Sequence, residues 1–376
     1  MGRFTYLKRN LEQLVFRNRD QHKIPTMDGV MTPNNLLDAL EEVGGPVPGA
    51  DDVALGPEGT LFLTAGNEVL KLGGPHFENR SVFMNFESET GGLTFHPDGR
   101  LLVCVSGEGL ASINLDGSVT WLTSVENEAL GCLTAVTAAS DGSIYLTDGS
   151  RTNRSADWKR DLMELNASGR LVRCSSSLTD SEVLADGLHF PNGLCLSSDH
   201  KEVWFTQSWN HSLSRIEAGG ISTGKITTVI DNLPAYPARM SPAKDGGFWI
   251  ALFAVRTHLT ELILLEDDYR KEMMRSIPVN YWPGPELRST SDCMEPMQFG
   301  NIITLGVKKP WAPARSYGLV IRVGRNGEPM ESLHSRRGGL NHGICSVLET
   351  DMYLFAVSKG RGQLLCKNLG RSDERN

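Results

Sequence analysis

At 376 residues, with 40% hydrophobic and 22% charged residues, the chain has material for one large core or two ordinary ones. Its net charge of −8 argues against the basic surface that non-specific binding to nucleic acid or an anionic membrane needs. No run approaches the roughly 18 apolar residues of a membrane span, so the expected partner is a small-molecule substrate.

Residues 1–45 read as an N-terminal extension. Its start, MGRFTYLKRNLEQLVFRNRDQHKIP, alternates charged and apolar residues and lacks the apolar run of a signal peptide. Met1-Gly2 is not followed by Ser or Thr at the sixth position, so a myristoylation signal is discounted. The seven cysteines, at 104, 132, 174, 195, 293, 345 and 366, form no Cys-x-x-Cys pair. Cys104 and Cys195 sit in apolar strand-like runs and read as small buried hydrophobes. The expected setting is cytoplasmic. NNLLDALEEVG (34–44) predicts a short helix from its Leu36, Leu37 and Leu40 spacing.

A repeat follows. An apolar segment, an acidic or polar turn usually with Gly, and a strand-like run recur in VALGPEGTLFLTAG (53–66), LTFHPDGRLLVCVS (93–106) and AVTAASDGSIYLTDG (135–149). They recur again in GLCLSSDHKEVWFTQS (193–208), RMSPAKDGGFWIALF (239–253) and ICSVLETDMYLFAVS (344–358). Asp-Gly between apolar runs is a hairpin signal, because Gly accepts positive φ at little cost. Units of about four strands at this period predict an all-β, six-bladed β-propeller over 46–369, with 370–376 a polar tail. A β-sandwich with a second domain is the rival. Residues 258–314 form a long insertion in blade five, with Tyr281, Trp282, Met294, Met297, Trp311 and Arg315 suited to a lid or a homo-oligomer contact. YGLVIRVGRNGEPMESLH (317–334) predicts the outer hairpin of blade five. Blade six, 341–369, is one strand short, and residues before Asp51 could supply it. RTNRSADWKRDLME (151–164) is a polar loop with Trp158 that could cover the channel mouth.

These six segments resemble the calcium-dependent phosphotriesterase superfamily, which takes in gluconolactonase (regucalcin-like) enzymes, paraoxonases and strictosidine synthase-like proteins. GLHFPNGLCLSSD (187–199) carries its most specific motif, and GADDVALGPEGTLFLT (49–64), SIYLTDGS (143–150) and LMELNASGRLVR (162–173) match other blades. The resemblance implies an active site at the mouth of the central channel. In lactonase and paraoxonase members it implies a divalent cation, usually Ca2+, held by a Glu of blade one, Asn residues of blades three and four and a carboxylate of blade five. Carried onto this chain, those positions are Asp51, Thr134, Asn192 and, at blade five, Pro237-Ala238-Arg239. Asp51 and Asn192 are the metal ligands if a cation is bound. Otherwise no cofactor is favoured, and Arg239 points inward, pairs with Asp51 and donates to Asn192.

The leading expectation is a lactonase-type hydrolase of sugar lactones or other esters, independent of metal, with Asp51, Arg239 and His342 catalytic. Asn192, Thr134, His189, Trp209, His211, Tyr236 and Asn341 are the expected substrate contacts. The alternatives are a metal-free lyase, isomerase or condensing enzyme like strictosidine synthase, or a non-catalytic ligand-binding propeller. The blade-six Glu that the resemblance assigns to strictosidine synthase falls here on Gly343. His-Glu-x-x-His and phosphate-loop motifs are missing.

Overall fold

The acidic turns fold as their hairpin signal requires. Gly99, Gly142 and Gly246 take φ of +93°, +86° and +84°. Before each, Asp98, Asp141 and Asp245 accept the backbone N–H two residues on, at 3.1, 2.8 and 3.0 Å. Each hairpin opens a four-stranded antiparallel sheet, and six such sheets make a β-propeller. The structure, a computed structural model, describes residues 22–114, 116–218, 225–288, 302–304, 307–309 and 316–370.

The inner strands are Ala50–Leu55, Thr90–Phe95, Leu133–Ala138, Pro191–Leu196, Ala235–Pro242 and Ile344–Glu349. Each neighbours the next around a closed ring. Six apolar clusters fill the seams between blades. Phe62 and Val69 of blade one meet Leu93 and Val103 of blade two. Cys104 and Leu110 meet Val136 and Leu146, and Tyr145 and Leu171 meet Leu194 and Phe205. Trp204 and Leu213 meet Phe248 and Ile250, and Trp249 and Val320 meet Val347 and Leu354. Phe355 and Leu364 close the circle against Val53 and Leu63. Burial along strands on both faces is why the strands read as continuous apolar runs.

Blade six is completed from the N-terminal side. Glu41–Pro46 pairs with Gln363–Asn368, setting Glu41 opposite Cys366 and Val43 opposite Leu364. The helix expected over 34–44 is therefore corrected. Only Leu36–Ala39 turns, as one 3-10 turn, and the rest is strand. Tertiary pairing overrides the short Leu periodicity, and Gly44 and Gly45, at φ +73° and +71°, break any helix there. Asn34 and Asp38 fasten the turn to blade five. Asn34 Nδ2 donates to Ser332 O at 2.9 Å, and Ser335 Oγ donates to Asp38 Oδ1 at 2.6 Å.

The outer hairpin of blade five is Gly318–Val323 with Pro329–Ser335. Two excursions rise above the ring. The blade-three loop holds α1 (Trp158–Met163); the blade-five insertion holds α2 (His258–Leu265) and α3 (Asp267–Ser276). Within that insertion Trp282 is buried and Tyr281 is exposed. Met294, Met297, Trp311 and Arg315 lie outside the described residues, as do 1–21. No helix among the described residues is long and apolar enough to cross a membrane.

Candidate functional site

Every inner strand is irregular near its start. The register shifts between Ala50 and Asp52, Thr90 and Leu93, Leu133 and Ala135, Pro191 and Leu194, Pro237 and Met240, and Ile344 and Ser346. A bulge re-aims the residue it leaves unpaired. Among the residues so released, Asp51, Gly91, Thr134, Asn192, Ala238, Arg239 and Cys345 line one cavity on the ring axis. Its volume of about 120 Å³ has room for several waters or the reacting end of a ligand.

Packing explains the local sequence. Ser208 Oγ and Thr206 Oγ1 of blade four donate to Pro237 O and Ala238 O of blade five at 2.7 and 2.8 Å. A Cβ on Gly193 would stand 2.3 Å from Ala238 O, so the Asn-Gly pair gives one cavity residue and one gap for the neighbouring bulge.

Arg239 forms the floor. Its guanidinium Nη2 lies 2.5 Å from Asp51 Oδ2. Nη1 donates to Asp51 O at 3.2 Å and Nε to Thr134 O at 3.1 Å. Nε also lies 3.5 Å from Asp52 Oδ2. The donation to Asn192 expected from the sequence is not formed; Asn192 Nδ2 donates to Ser208 Oγ at 3.2 Å instead. Three of the five guanidinium N–H groups thus have protein partners, and two have none among the described residues. Lys359, unrecognised in the sequence, donates to Asp51 Oδ1 at 2.6 Å. Asp52 is held from below by Ser346 Oγ at 2.5 Å and by Leu93 N at 2.9 Å.

These contacts set the charges. Burial pushes the Asp51 carboxyl up, but Arg239 and Lys359 outweigh it and hold it below the usual range. At Asp52 burial wins over Arg239, and its pKa is raised. Burial pulls Arg239 down, yet Asp51 and Asp52 more than compensate, so it stays charged. Lys359 is lowered by burial and raised, on balance, by Asp51. Burial pushes the Cys345 thiol up to about 12. That thiol donates to Asp51 O and is no ready nucleophile.

The donor set does not fit the divalent cation that the resemblance implies. Such an ion takes six to eight oxygens, several of them charged. Both Asp51 oxygens face cations. The Thr134 hydroxyl donates to Pro191 O at 2.7 Å, across to blade four. Blade five supplies a guanidinium where a carboxylate would be needed.

Above the floor the cavity has two unlike sides. Glu89, Thr90, Ser106 and Ser155 are polar; Leu133, Phe190, Trp209, Phe253, Trp158 and Leu287 make an apolar wall. Trp209 stacks between Phe190, 4.5 Å away, and Trp158, 6.4 Å away. Its indole Nε1 donates to the buried Asp161 Oδ1 at 2.7 Å, while Asn166 and Asn153 hold the other Asp161 oxygen. Lys159 pairs with Glu286 at 2.7 Å, and Arg160 lies over the Trp282 ring, so α1 and the insertion are clasped together above the mouth. Leu287 reaches blade six, where a Cβ on Gly360 would stand 1.9 Å from Leu287 O.

Five expected site residues lie elsewhere. His342 precedes the strand, and its Nδ1 and Nε2 lie 2.7 Å from Ser316 Oγ and 3.0 Å from Arg336 O. This corrects its assignment to the cavity: Cys345, not His342, is the bulge residue of blade six. Asn341 is a brace, with Nδ2 on Leu37 O and Oδ1 accepting from Arg361. His189 is half-buried off the lining, its backbone N–H donating to Gln207 Oε1. His211 and Tyr236 stand behind the aromatic wall, ring centroids 4.6 Å apart, with His211 Nε2 3.7 Å from Glu261 Oε1. Burial takes the His211 pKa down to about 3, which fits a neutral structural ring. Gly343, at φ +62°, has Leu287 O 2.6 Å from a would-be Cβ, so a side chain there has no room. Lys359 and Ser106 share a signal that the sequence did carry: both follow the second strand of their blade, as Trp209 nearly does.

Comparison with known proteins follows the same blades. The family model for strictosidine synthase matches residues 134–217, the inner strand of blade three through the third strand of blade four. The adipocyte plasma membrane-associated protein of Danio rerio is 28% identical over 255 residues, covering 62% of this chain and 60% of that protein. Strictosidine synthase-like 13 of Arabidopsis thaliana is 26% identical over 250 residues, covering 66% and 56%. The chain thus spans less than two thirds of either relative. Among solved structures, a gluconolactonase from Xanthomonas campestris superposes with a TM-score of 0.56 at 13% identity, covering 85% of this chain and 86% of that one.

Proposed function

We propose that this chain, a member of the superfamily joining strictosidine synthase-like proteins to gluconolactonase and regucalcin-like propellers, is a metal-independent hydrolase of carboxylic esters or lactones. The observation that carries the reading is the Arg239 guanidinium, fixed by Asp51 on the cavity floor with two N–H groups to spare. Such donors can polarise a carbonyl and hold the oxyanion that forms when water adds. They are already oriented, so little reorganisation is needed as charge develops. Asp51 acts as a positioning residue: with both oxygens paired to cations it makes a poor base. Asn192 lies on the same lining and would contact the acyl or alkoxy oxygen. The wall of Trp158, Trp209 and Phe253 favours a substrate with a flat apolar body over a bare sugar lactone. All six described cysteines are free and buried, which supports a reducing, cytoplasmic setting.

The test is a panel of aryl acetates, γ- and δ-lactones and a sugar lactone, assayed with and without chelator. The reading predicts turnover of an apolar ester or lactone that chelator leaves unchanged and that Arg239→Ala lowers about 100-fold or more. Turnover lost on chelation contradicts it. A ligand that raises Tm without being hydrolysed by any preparation would favour the binding-protein alternative.

A further inference from the structure

The floor leaves one chemical task unfilled. Hydrolysis needs a group that takes a proton from the attacking water, and Asp51 is held by two cations. We propose that Glu89 is that general base. This rests on the hydrolase reading above.

Glu89 is the one carboxylate of the cavity lining with no side-chain partner among the described residues; the other, Asp51, is paired twice. Its backbone is anchored although its side chain is not. Ser106 N donates to Glu89 O at 2.8 Å, and the next residue, Thr90, donates to Gly66 O through both its N (2.7 Å) and its Oγ1 (2.9 Å). The carboxylate therefore stands on a fixed ledge between blades one and two. Glu89 immediately precedes the inner strand Thr90–Phe95, and both it and the bulge residue Gly91 line the cavity. A Cβ at Gly91 would lie 3.5 Å from Arg239 Nη2. Glu89 and Arg239 line the same cavity, and Gly91 puts no side chain into it beside the Arg239 donors. The charged groups around the ledge are Asp51, Arg239 and Lys359 in the cavity, with Arg154 packed over Gly107 and Glu108 beyond it.

The step balances without a further reagent. Glu89 takes a proton from water as the water oxygen bonds to the carbonyl carbon. The carbonyl electron pair moves to oxygen, where the two spare Arg239 N–H groups hold it. Collapse re-forms the carbonyl and breaks the carbon–oxygen bond to the alkoxy group, which leaves with the proton from Glu89. Ester and water become acid and alcohol, and the carboxylate is regenerated.

The experiment compares wild type, Glu89→Gln and Arg239→Ala with 2-naphthyl acetate and δ-valerolactone across pH 4–9. The proposal expects Glu89→Gln to lower kcat about 100-fold or more with KM within about twofold. It expects the acid limb of the pH–rate profile to vanish and Tm to stay put, since the side chain is exposed and unpaired. Glu89→Asp should recover part of kcat. If Glu89→Gln keeps kcat and the acid limb while Arg239→Ala is dead, Glu89 is not the base and the hydrolase reading stands. If wild type hydrolyses neither substrate nor any other ester or lactone of the panel, both fall together.

Discussion

Blades four and five face each other across one seam yet treat the same bulge differently. Blade four carries an Asn-Gly pair: Asn192 turns to the cavity and Gly193 makes room for its neighbour. Its charge on the axis is zero. Blade five fills the same two bulge positions with Ala238 and Arg239 and sends a permanent cation into the same cavity. Blade five also carries the insertion that roofs the site through Leu287. The contrast shows how one backbone device, repeated six times, lets a single substitution change the chemistry of a channel while the ring is untouched. The structural cost of that change is local, because Asp51, Asp52 and Lys359 balance the charge within reach.

The comparison breaks most visibly if blade five is emptied. Arg239→Ala leaves Asp51 and Asp52 buried beside each other, and the loss of one partner from a buried pair costs about 3–5 kcal/mol. Urea unfolding of wild type and variant should show that loss. Asn192→Ala on blade four, which gives up one hydrogen bond to Ser208, should cost about 1 kcal/mol. Equal losses at the two positions would mean that the guanidinium is not the organising charge.

A smaller effect sharpens the role of the wall that blade four shares with the lid. Asp161→Ala removes the acceptor of the Trp209 indole N–H. Freed to tilt, Trp209 should give up stacking worth about 0.5–1.5 kcal/mol. We expect KM for an aryl ester to rise about two- to tenfold with kcat nearly unchanged. A fall in kcat at constant KM would place Trp209 in the chemistry rather than in binding.

The smallest effect is on acid stability. The Asp51 pKa is lower folded than unfolded, so its contribution is present above the unfolded value, about 4. It is lost as pH falls through the folded value. Lys359, raised on folding, behaves oppositely: its contribution is full below its unfolded value, near 10.5, and is lost as pH rises past the folded one. Asp52, raised by burial, acts against Asp51 in the acid range. The Asp51 charge itself helps raise Asp52, so the difference between wild type and Asp51→Asn reports the coupled pair. Wild type should lose stability between about pH 5 and 3 more steeply than Asp51→Asn.

Much of the architecture was legible because turn chemistry and strand burial are local properties. Asp-Gly pairs located the hairpins, and the missing blade-six strand pointed to the N-terminal side. The helix expected at 34–44 failed because pairing with Gln363–Asn368 is a long-range fact that no local periodicity records. The site was legible where a motif fixed the register: Asp51, Thr134, Asn192 and Arg239 meet on one lining. It failed where register was guessed. His342 lies before the bulge of blade six, and its ring turns toward Ser316 and Arg336. Glu89, Lys359 and Leu287 come from strand ends and an insertion, and only the folded ring brings them together.

Calorimetric titration of the wild-type protein with Ca2+ tests the central claim most directly. With the blade-five guanidinium fixed to Asp51, the account predicts no saturable binding in the channel, and the same flat response from Asp51→Asn. One equivalent of tightly bound Ca2+ that disappears in Asp51→Asn would contradict it.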